Sequence, residues 1–343
     1  MIVRLLFCAV GSSLFCGCLF LYSVDESDDP SGGAGGSGGD AVGGGGGGIL
    51  VSQPIGDAAP LLAWTGAQGS ALTSEGALWR FTATGEPVRV EGTLSDGVAI
   101  AVTRSRDTLV AKGSFEAPAM AVWRCVDDGC GDWITSSPPV ALAGLASFGD
   151  SVAAVHRDDG RVEIFSDLGE SLELLGEAQD EGIAVAARRC EGGDAVAWVA
   201  KSAGVPRLFR TKRVSASVGF HEPESLDLPG TAISLTIAAD CRVFYLAPGS
   251  SGAQLFAWPE GAATGLDVAI ESTEDGQVSV GGEQLFVTRH ADTGASVGAC
   301  PLANLGACIE SPIACGRVAG IAADPASDDV YFSCDDGLVR WPR

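Results

Sequence analysis

A short apolar run recurs along this chain at a nearly constant interval, and this spacing limits the possible folds more than any other feature. The run takes forms such as VAAV, VAWV and VFYL, each after an acidic or polar turn. Successive runs are always separated by 42 to 47 residues. They begin at Leu109, Val152, Val196, Val243, Leu285 and Val330, with a weaker copy at Leu61. Repeats of this length, made only of short strands and turns, are typical of β-propellers.

The segment from Ile49 to Arg343 is long enough for seven blades of about 42 residues. We therefore predict an all-β propeller, most simply of seven four-stranded antiparallel sheets. The run ILVS at Ile49–Ser52 fits two roles: an outer strand that locks the ring, or the inner strand of the first blade. Because the sequence permits both, six blades also fit.

The second blade shows how the four strands are expected to follow one another. Three apolar segments are separated by turns, and a fourth stretch completes the blade. We predict strands at Val98–Thr103, Leu109–Ala111 and Ala121–Arg124, and a fourth near Trp133–Leu142.

The N-terminus has the character of an export signal. After Arg4, the residues from Leu5 to Tyr22 carry no charge, which suits a secretory signal or a short membrane anchor. The run LFCGC places a small residue, Gly17, directly before Cys18. This resembles the lipobox of bacterial lipoproteins, and the resemblance implies a signal peptide over 1–18 and lipidation of Cys18. An uncleaved anchor and simple secretion remain the alternatives, and all three export the domain.

The next segment, 19–48, is predicted to be a flexible tether. It begins with an acidic stretch, VDESDDP, and continues as SGGAGGSGGDAVGGGGGG. Eighteen Gly-rich residues behave as a random coil with a root-mean-square span of roughly 23 Å. Such a tether would hold a propeller over 49–343 away from a membrane surface.

The cysteines support export to an oxidising compartment. Three of the 11 lie in the leader, and the eight that remain are an even number. The blade register places each of four pairs on a common face of the ring. The pairs predicted to form disulfides are Cys125–Cys130, Cys190–Cys241, Cys300–Cys308 and Cys315–Cys334.

Charge and composition exclude several classes of ligand. The formal net charge is −23, so no basic surface is available to neutralise nucleic-acid phosphates or anionic lipid headgroups. The body contains no C-x-x-C pair, which argues against a zinc site. The sequence therefore predicts neither a metal nor a cofactor.

One face of the predicted ring is rich in acidic turns, and it is the first candidate for a binding surface. Turns on this face would attract a basic partner or divalent cations, although acidic residues also favour turns whatever their function. The acidic residues assigned to this face are Asp96, Asp158, Asp159, Asp180, Glu181, Glu274, Asp275, Asp292, Asp335 and Asp336.

An enzymatic role is the alternative to binding. Propeller enzymes, whether lyases, dehydrogenases or hydrolases, place His, carboxylates or a metal around the central channel. His156 and His290 occupy matching positions, but they lie three blades apart, too far for one metal. We predict both to be exposed loop residues, and we assign no catalytic residue.

The ending DDVYFSCDDGLVRWP resembles divergent propeller repeats of bacterial surface proteins. With the leader and tether, the chain resembles an exported bacterial lipoprotein of the cell envelope. The resemblance implies a non-enzymatic binding or scaffold module, attached to a membrane by its N-terminal lipid, whose partner is an envelope or extracellular protein.

Overall fold

The fold is known from a computed structural model that describes most of the chain after residue 50. The described residues are 51–55, 58–66, 68–82, 85–90, 92–114, 121–127, 129–133, 140–215, 217–249, 252–262, 265–291, 294–313, 315–324, 329–335 and 337–341. Cys18 and the segments predicted to be a signal peptide and a tether lie outside these ranges. Within them, no helix has the length and apolar character needed to cross a bilayer.

The described residues form 28 strands. In chain order these are β1 (Val51–Pro54), β2 (Leu61–Thr65), β3 (Gln68–Leu72), β4 (Leu78–Thr82), β5 (Val88–Arg89), β6 (Gly97–Val102), β7 (Thr108–Lys112), β8 (Val122–Val126), β9 (Gly129–Asp132), β10 (Leu142–Phe148), β11 (Ser151–His156), β12 (Val162–Ser166), β13 (Ser171–Leu175) and β14 (Glu181–Cys190). They continue as β15 (Gly193–Ser202), β16 (Val205–Arg213), β17 (Glu224–Asp227), β18 (Ser234–Ile237), β19 (Val243–Pro248), β20 (Ala253–Trp258), β21 (Leu266–Ser272), β22 (Val278–Gly281), β23 (Gln284–Ala291), β24 (Gly294–Pro301), β25 (Ile309–Ile313), β26 (Gly320–Ala323), β27 (Val330–Ser333) and β28 (Gly337–Trp341).

These strands form seven four-stranded antiparallel sheets, which confirms the predicted seven-bladed propeller. Blades I to VI take four consecutive strands each, beginning with β2, β6, β10, β14, β18 and β22. Blade VII contains β26, β27 and β28, and β1 completes it as the outer strand. Of the two roles predicted for the N-terminal run, the outer strand that locks the ring is confirmed: Val51 pairs with Arg340 and Pro54 with Gly337. Contacts between β26 and β2 close the ring.

The core is divided among the seven spaces between neighbouring blades. Each apolar cluster joins one adjacent pair; the largest, for example, joins Val199 and Leu208 of blade IV to Val243 and Tyr245 of blade V. Successive side chains of a strand point to opposite faces, and both faces of the inner strands are covered. In β15, Val196 and Trp198 therefore pack towards blade III while Val199 packs towards blade V. This double burial explains why second strands appear as unbroken apolar runs.

Hydrogen bonds between blades repeat with the same interval as the sequence. Ser234 Oγ of β18 accepts from the Val278 backbone N–H at 3.0 Å, across a separation of 44 residues. Ser279 Oγ accepts from Ala323 N–H at 3.1 Å, again 44 residues away. Ser147 Oγ donates to the Val102 carbonyl at 2.5 Å, 45 residues away. The sequence repeat is thus also the step from one blade to the next.

Two sequence predictions within the blades were wrong. The run at Leu61 was interpreted as a copy of the second-strand repeat, but it forms β2, the innermost strand of blade I. The fourth strand of blade II is β9, before the predicted stretch at Trp133–Leu142. The sequence of β9, GCGD, has no apolar pattern, and the Cys125–Cys130 bond closes its hairpin. Trp133, just beyond it, is instead buried against Phe165 with ring centroids 5.3 Å apart.

Candidate functional site

The predicted acidic residues that are described share one face of the ring. In each antiparallel blade, the turn after the second strand and the connection to the next blade open on the same side, here called the acidic face. Asp158, Asp159 and Asp335 lie in turns that follow the second strand of a blade. Asp96, Asp180, Glu181, Glu274 and Asp275 lie at connections between blades. Asp292 and Asp336 fall outside the described residues.

Several of these carboxylates are neutralised by nearby cations. Asp159 binds Arg161 at 2.5 Å, and Glu181 binds Lys201 at 2.6 Å. Asp275 binds Arg317 at 2.9 Å. Burial alone would raise the pKa of Asp159, but hydrogen bonds from Arg161 outweigh it and lower the pKa below its usual value. These groups stabilise the turns and contribute little negative charge to the face.

Two more of the predicted carboxylates form no ion pair but accept hydrogen bonds: Asp180 from the Gly204 backbone N–H at 2.8 Å and Asp96 from Ser114 Oγ at 3.4 Å. Three others remain available on the acidic face. Asp158, Glu274 and Asp335 are all exposed. None of the three forms an ion pair with any residue in the described part of the chain. Sequence spacing could not separate these groups from the paired ones, because pairing depends on where side chains of other turns reach.

The histidines do not have the predicted exposure. His156 is only 6% exposed, and it lies between Asp159 and Glu163 with both contacts at 3.3 Å. His290 Nε2 accepts from the Val318 backbone N–H at 3.1 Å, and Nδ1 contacts Asp275 at 2.6 Å. Accepting at Nε2 fixes the neutral tautomer with its proton on Nδ1. His156 therefore stabilises its own β11–β12 hairpin, while His290 joins the two connections that contain Asp275 and Val318. No group of three potential metal ligands occurs among the described His, Cys, Asp and Glu residues.

The first strands of all seven blades surround a central channel of about 590 Å³. Among the described lining residues, the ionisable side chains are Arg188 and Arg189 of blade IV. Arg188 Nη1 donates to the carbonyls of Ile237 and Val280, both at 3.2 Å, so it crosses from blade IV to blades V and VI. Burial lowers the pKa of its guanidinium. Arg188 therefore ties three blades together at the channel wall, Arg189 pairs with Asp194, and these two arginines provide no general base.

Sequence reasoning missed these two arginines. Their signal was present in β14, where GIAVAARRC carries adjacent cations at the end of an otherwise apolar strand. Cations in a channel-lining strand are expensive to bury, so their presence marks the position as unusual.

The cysteines differ from the prediction at one pair. Bonds join Cys125 to Cys130, Cys300 to Cys308, and Cys315 to Cys334. The predicted fourth bond is absent: Cys190 and Cys241 are buried free thiols in contact across blades IV and V. A shared face of the ring brings two turns together, but a disulfide also needs matching Cβ directions, which the register does not specify. Cys241 has a left-handed backbone, with φ at 64°.

A cavity of about 90 Å³ lies beside these thiols. Its wall includes Cys241, His221 and the ion pair formed by Lys212 with Glu260. A hydrogen bond from the Cys190 thiol lowers the pKa of Cys241 despite its burial, and Lys212 acts in the same direction. Donating that hydrogen bond, together with burial, raises the pKa of Cys190. Cys241 is therefore the more acidic thiol of the pair.

Comparison with known proteins establishes the fold. No protein-family model matches this chain, and no curated protein sequence matches it either. The chain is similar to a solved structure of PorZ, described as an essential bacterial surface component of the type-IX secretion system of Porphyromonas gingivalis. The TM-score is 0.57 and the identity is 14%; the match covers 85% of this chain and 38% of PorZ. This chain thus spans less than half of that protein, and the likeness extends to the propeller fold.

The three disulfides indicate where the propeller folds. Disulfides form and persist in oxidising compartments outside the cytoplasm and are rare within it. An extracytoplasmic location therefore agrees with the bonds that the structure contains.

Proposed function

We propose that this chain is an exported, membrane-tethered β-propeller that acts as a non-enzymatic binding or scaffold module of the cell envelope. The observation that carries the proposal is the set of unpaired carboxylates, Asp158, Glu274 and Asp335, on one face of a closed ring. Turns on a rigid scaffold are favoured positions for binding residues, because the scaffold fixes them in place. Their charge favours a basic envelope or extracellular protein as the partner.

The acidic face is tested by capture with the immobilised propeller, residues 49–343, from envelope extract. One variant neutralises the three unpaired carboxylates: Asp158→Asn, Glu274→Gln and Asp335→Asn. A matched control removes the same charge from exposed turns on the opposite face: Asp127→Asn, Glu170→Gln and Glu191→Gln. We expect the first variant alone to lose a basic protein that the wild type captures at low salt. Equal capture by both variants would exclude the acidic face as the binding surface.

The membrane attachment is tested separately. The resemblance to a lipobox assigns lipidation to Cys18, which is preceded by Gly17. We expect Cys18→Ser to release the protein from the membrane fraction of its host, while Cys16→Ser leaves it bound. Retention of the Cys18→Ser protein in membranes would contradict lipidation at this residue and favour an uncleaved anchor.

A further inference from the structure

Cys190 and Cys241 are held together by the backbone around them. Each lies at the turn between the first and second strands of its blade, IV or V. The Glu191 backbone N–H donates to the Ala239 carbonyl at 2.9 Å, which ties the two turns together. Cys190 Sγ lies 3.7 Å from the Ala238 carbonyl oxygen, and its thiol donates to Cys241. The two sulfurs therefore meet without any large movement of a blade.

The surroundings favour reaction at one sulfur of the pair. Cys241 lines the cavity of about 90 Å³, which is large enough for several water-sized groups and too small for a folded partner. The thiolate is the reactive form of cysteine, and a donated hydrogen bond and a nearby cation both favour it. Cys241 has both, from Cys190 and Lys212, while Glu260 opposes them.

We propose that Cys190 and Cys241 form a reversible oxidation site, in which Cys241 reacts with a small hydroperoxide and Cys190 then closes a disulfide between blades IV and V. This role is independent of the proposed binding function. It also differs from a permanent structural bond, because the site opens and closes with the oxidant and a dithiol reductant.

The chemistry balances without any further reactant. The Cys241 thiolate attacks the outer oxygen of the peroxide; the O–O bond breaks, a sulfenic acid forms, and the departing oxyanion takes a proton to become water or an alcohol. Cys190 sulfur then attacks Cys241 sulfur, the S–O bond breaks, and hydroxide leaves as water with the Cys190 proton. The two sulfurs lose two electrons and the peroxide gains them. A dithiol returns both thiols by exchange.

The first test compares the four cysteine pairs of the purified propeller. After mild dithiol treatment we expect Cys190 and Cys241 to be free thiols, as in the structure, while the other three bonds stay intact, as read by differential alkylation and mass spectrometry. One equivalent of hydrogen peroxide should then form a Cys190–Cys241 disulfide, with loss of two hydrogens in the peptide map, and the same dithiol treatment should open it again. A Cys190–Cys241 bond that resists reduction as well as the other three, or thiols that peroxide leaves unchanged, would overturn the proposal.

The second test identifies the reacting sulfur. In Cys190→Ser, peroxide followed by dimedone should label Cys241; in Cys241→Ser, Cys190 should remain unlabelled. Lys212→Met should slow labelling several-fold, and Glu260→Gln should accelerate it, because these side chains act on the thiolate with opposite sign. A purely structural role would not give opposite effects. Labelling of Cys190, or equal rates in both charge variants, would refute the assignment of Cys241 as the attacking thiol.

Discussion

The buried carboxylate of Asp194 offers the sharpest test of how the blades are held together. It pairs across β15 and β16 with Arg213, Oδ2 to Nε at 2.9 Å, and their side chains are only 4% and 5% exposed. Arg213 also reaches blade III: its Nη2 lies 3.3 Å from Ser151 Oγ, and its guanidinium carbon lies 5.6 Å from the Phe148 ring centre. Removing Asp194 would leave this cation buried without a counter-charge.

The expected loss can be worked out from this burial. Breaking a buried pair by removing one partner costs about 3–5 kcal/mol, because the remaining charge cannot be resolvated. Unfolding entropy near 2.1 cal/mol/K per residue gives about 0.6 kcal/mol/K for roughly 290 residues. Asp194→Ala should therefore lower the melting temperature by about 5–8 °C. The second partner of Asp194, Arg189, is 57% exposed and remains solvated, so it adds little.

Asp150→Ala is the matched control for this measurement. Asp150 pairs with Arg104 at 3.1 Å between blades III and II, and the two side chains are 62% and 68% exposed, whereas the buried Asp194–Arg213 pair lies within blade IV. An exposed pair contributes up to about 1 kcal/mol, so the control should shift the melting temperature by less than about 2 °C. Both variants are followed by circular dichroism during heating. Equal shifts for the two variants would refute the argument that burial, rather than pairing itself, sets the cost.

Three further perturbations test other parts of the ring. Gly182→Ala should lower the free energy of unfolding by about 1–3 kcal/mol, because a Cβ there would lie 2.0 Å from the His156 carbonyl oxygen. The control Gly192→Ala, with open space around it, should be nearly neutral. Both are measured by urea unfolding. Asp275→Asn should make the free energy of unfolding depend less on pH in acid. Hydrogen bonds lower the pKa of Asp275 although burial opposes them, so its contribution to stability is present above pH about 4 and is lost as the pH falls through the depressed pKa. An unchanged loss of stability in acid would contradict this. Deleting the chain through β1 should lower the free energy of unfolding by roughly 4 kcal/mol, because about four ladder hydrogen bonds are lost. It should also expose the edge of β28, which we expect to self-associate in size-exclusion chromatography. A monomer of unchanged stability would show that β1 does not lock the ring.

The architecture was predictable because of how propeller blades are buried. Second strands such as β15 are covered on both faces, so their sequences are continuous apolar runs that recur once per blade. Closure of the ring by the N-terminal run was one of two alternatives, and only the pairing of β1 with β28 distinguishes them. Strands without an apolar pattern, such as β9, left no signal in the sequence.

The details of the candidate sites could not be obtained from spacing alone. Register placed the acidic turns on one face, but it could not show that Asp159 is paired and Asp158 is free, since that depends on the reach of Arg161. Likewise, register brought the turns of Cys190 and Cys241 together without specifying where the two sulfurs point. Both distinctions depend on side-chain direction, which the 44-residue repeat does not encode.

Ring closure by β1 also has a mechanical consequence. The strand that completes blade VII is the same strand that continues, towards the N-terminus, into the Gly-rich segment. Any tension along that segment is therefore applied first to the ladder between β1 and β28, at the outer edge of one blade. Within blade VII, β1 is bonded only to β28, so this ladder lies between the segment and the inner strand β26. The β1–β28 ladder would therefore be the first part of the propeller to break under load. A strong pull would separate β1 from β28 and open the ring before it distorts the channel.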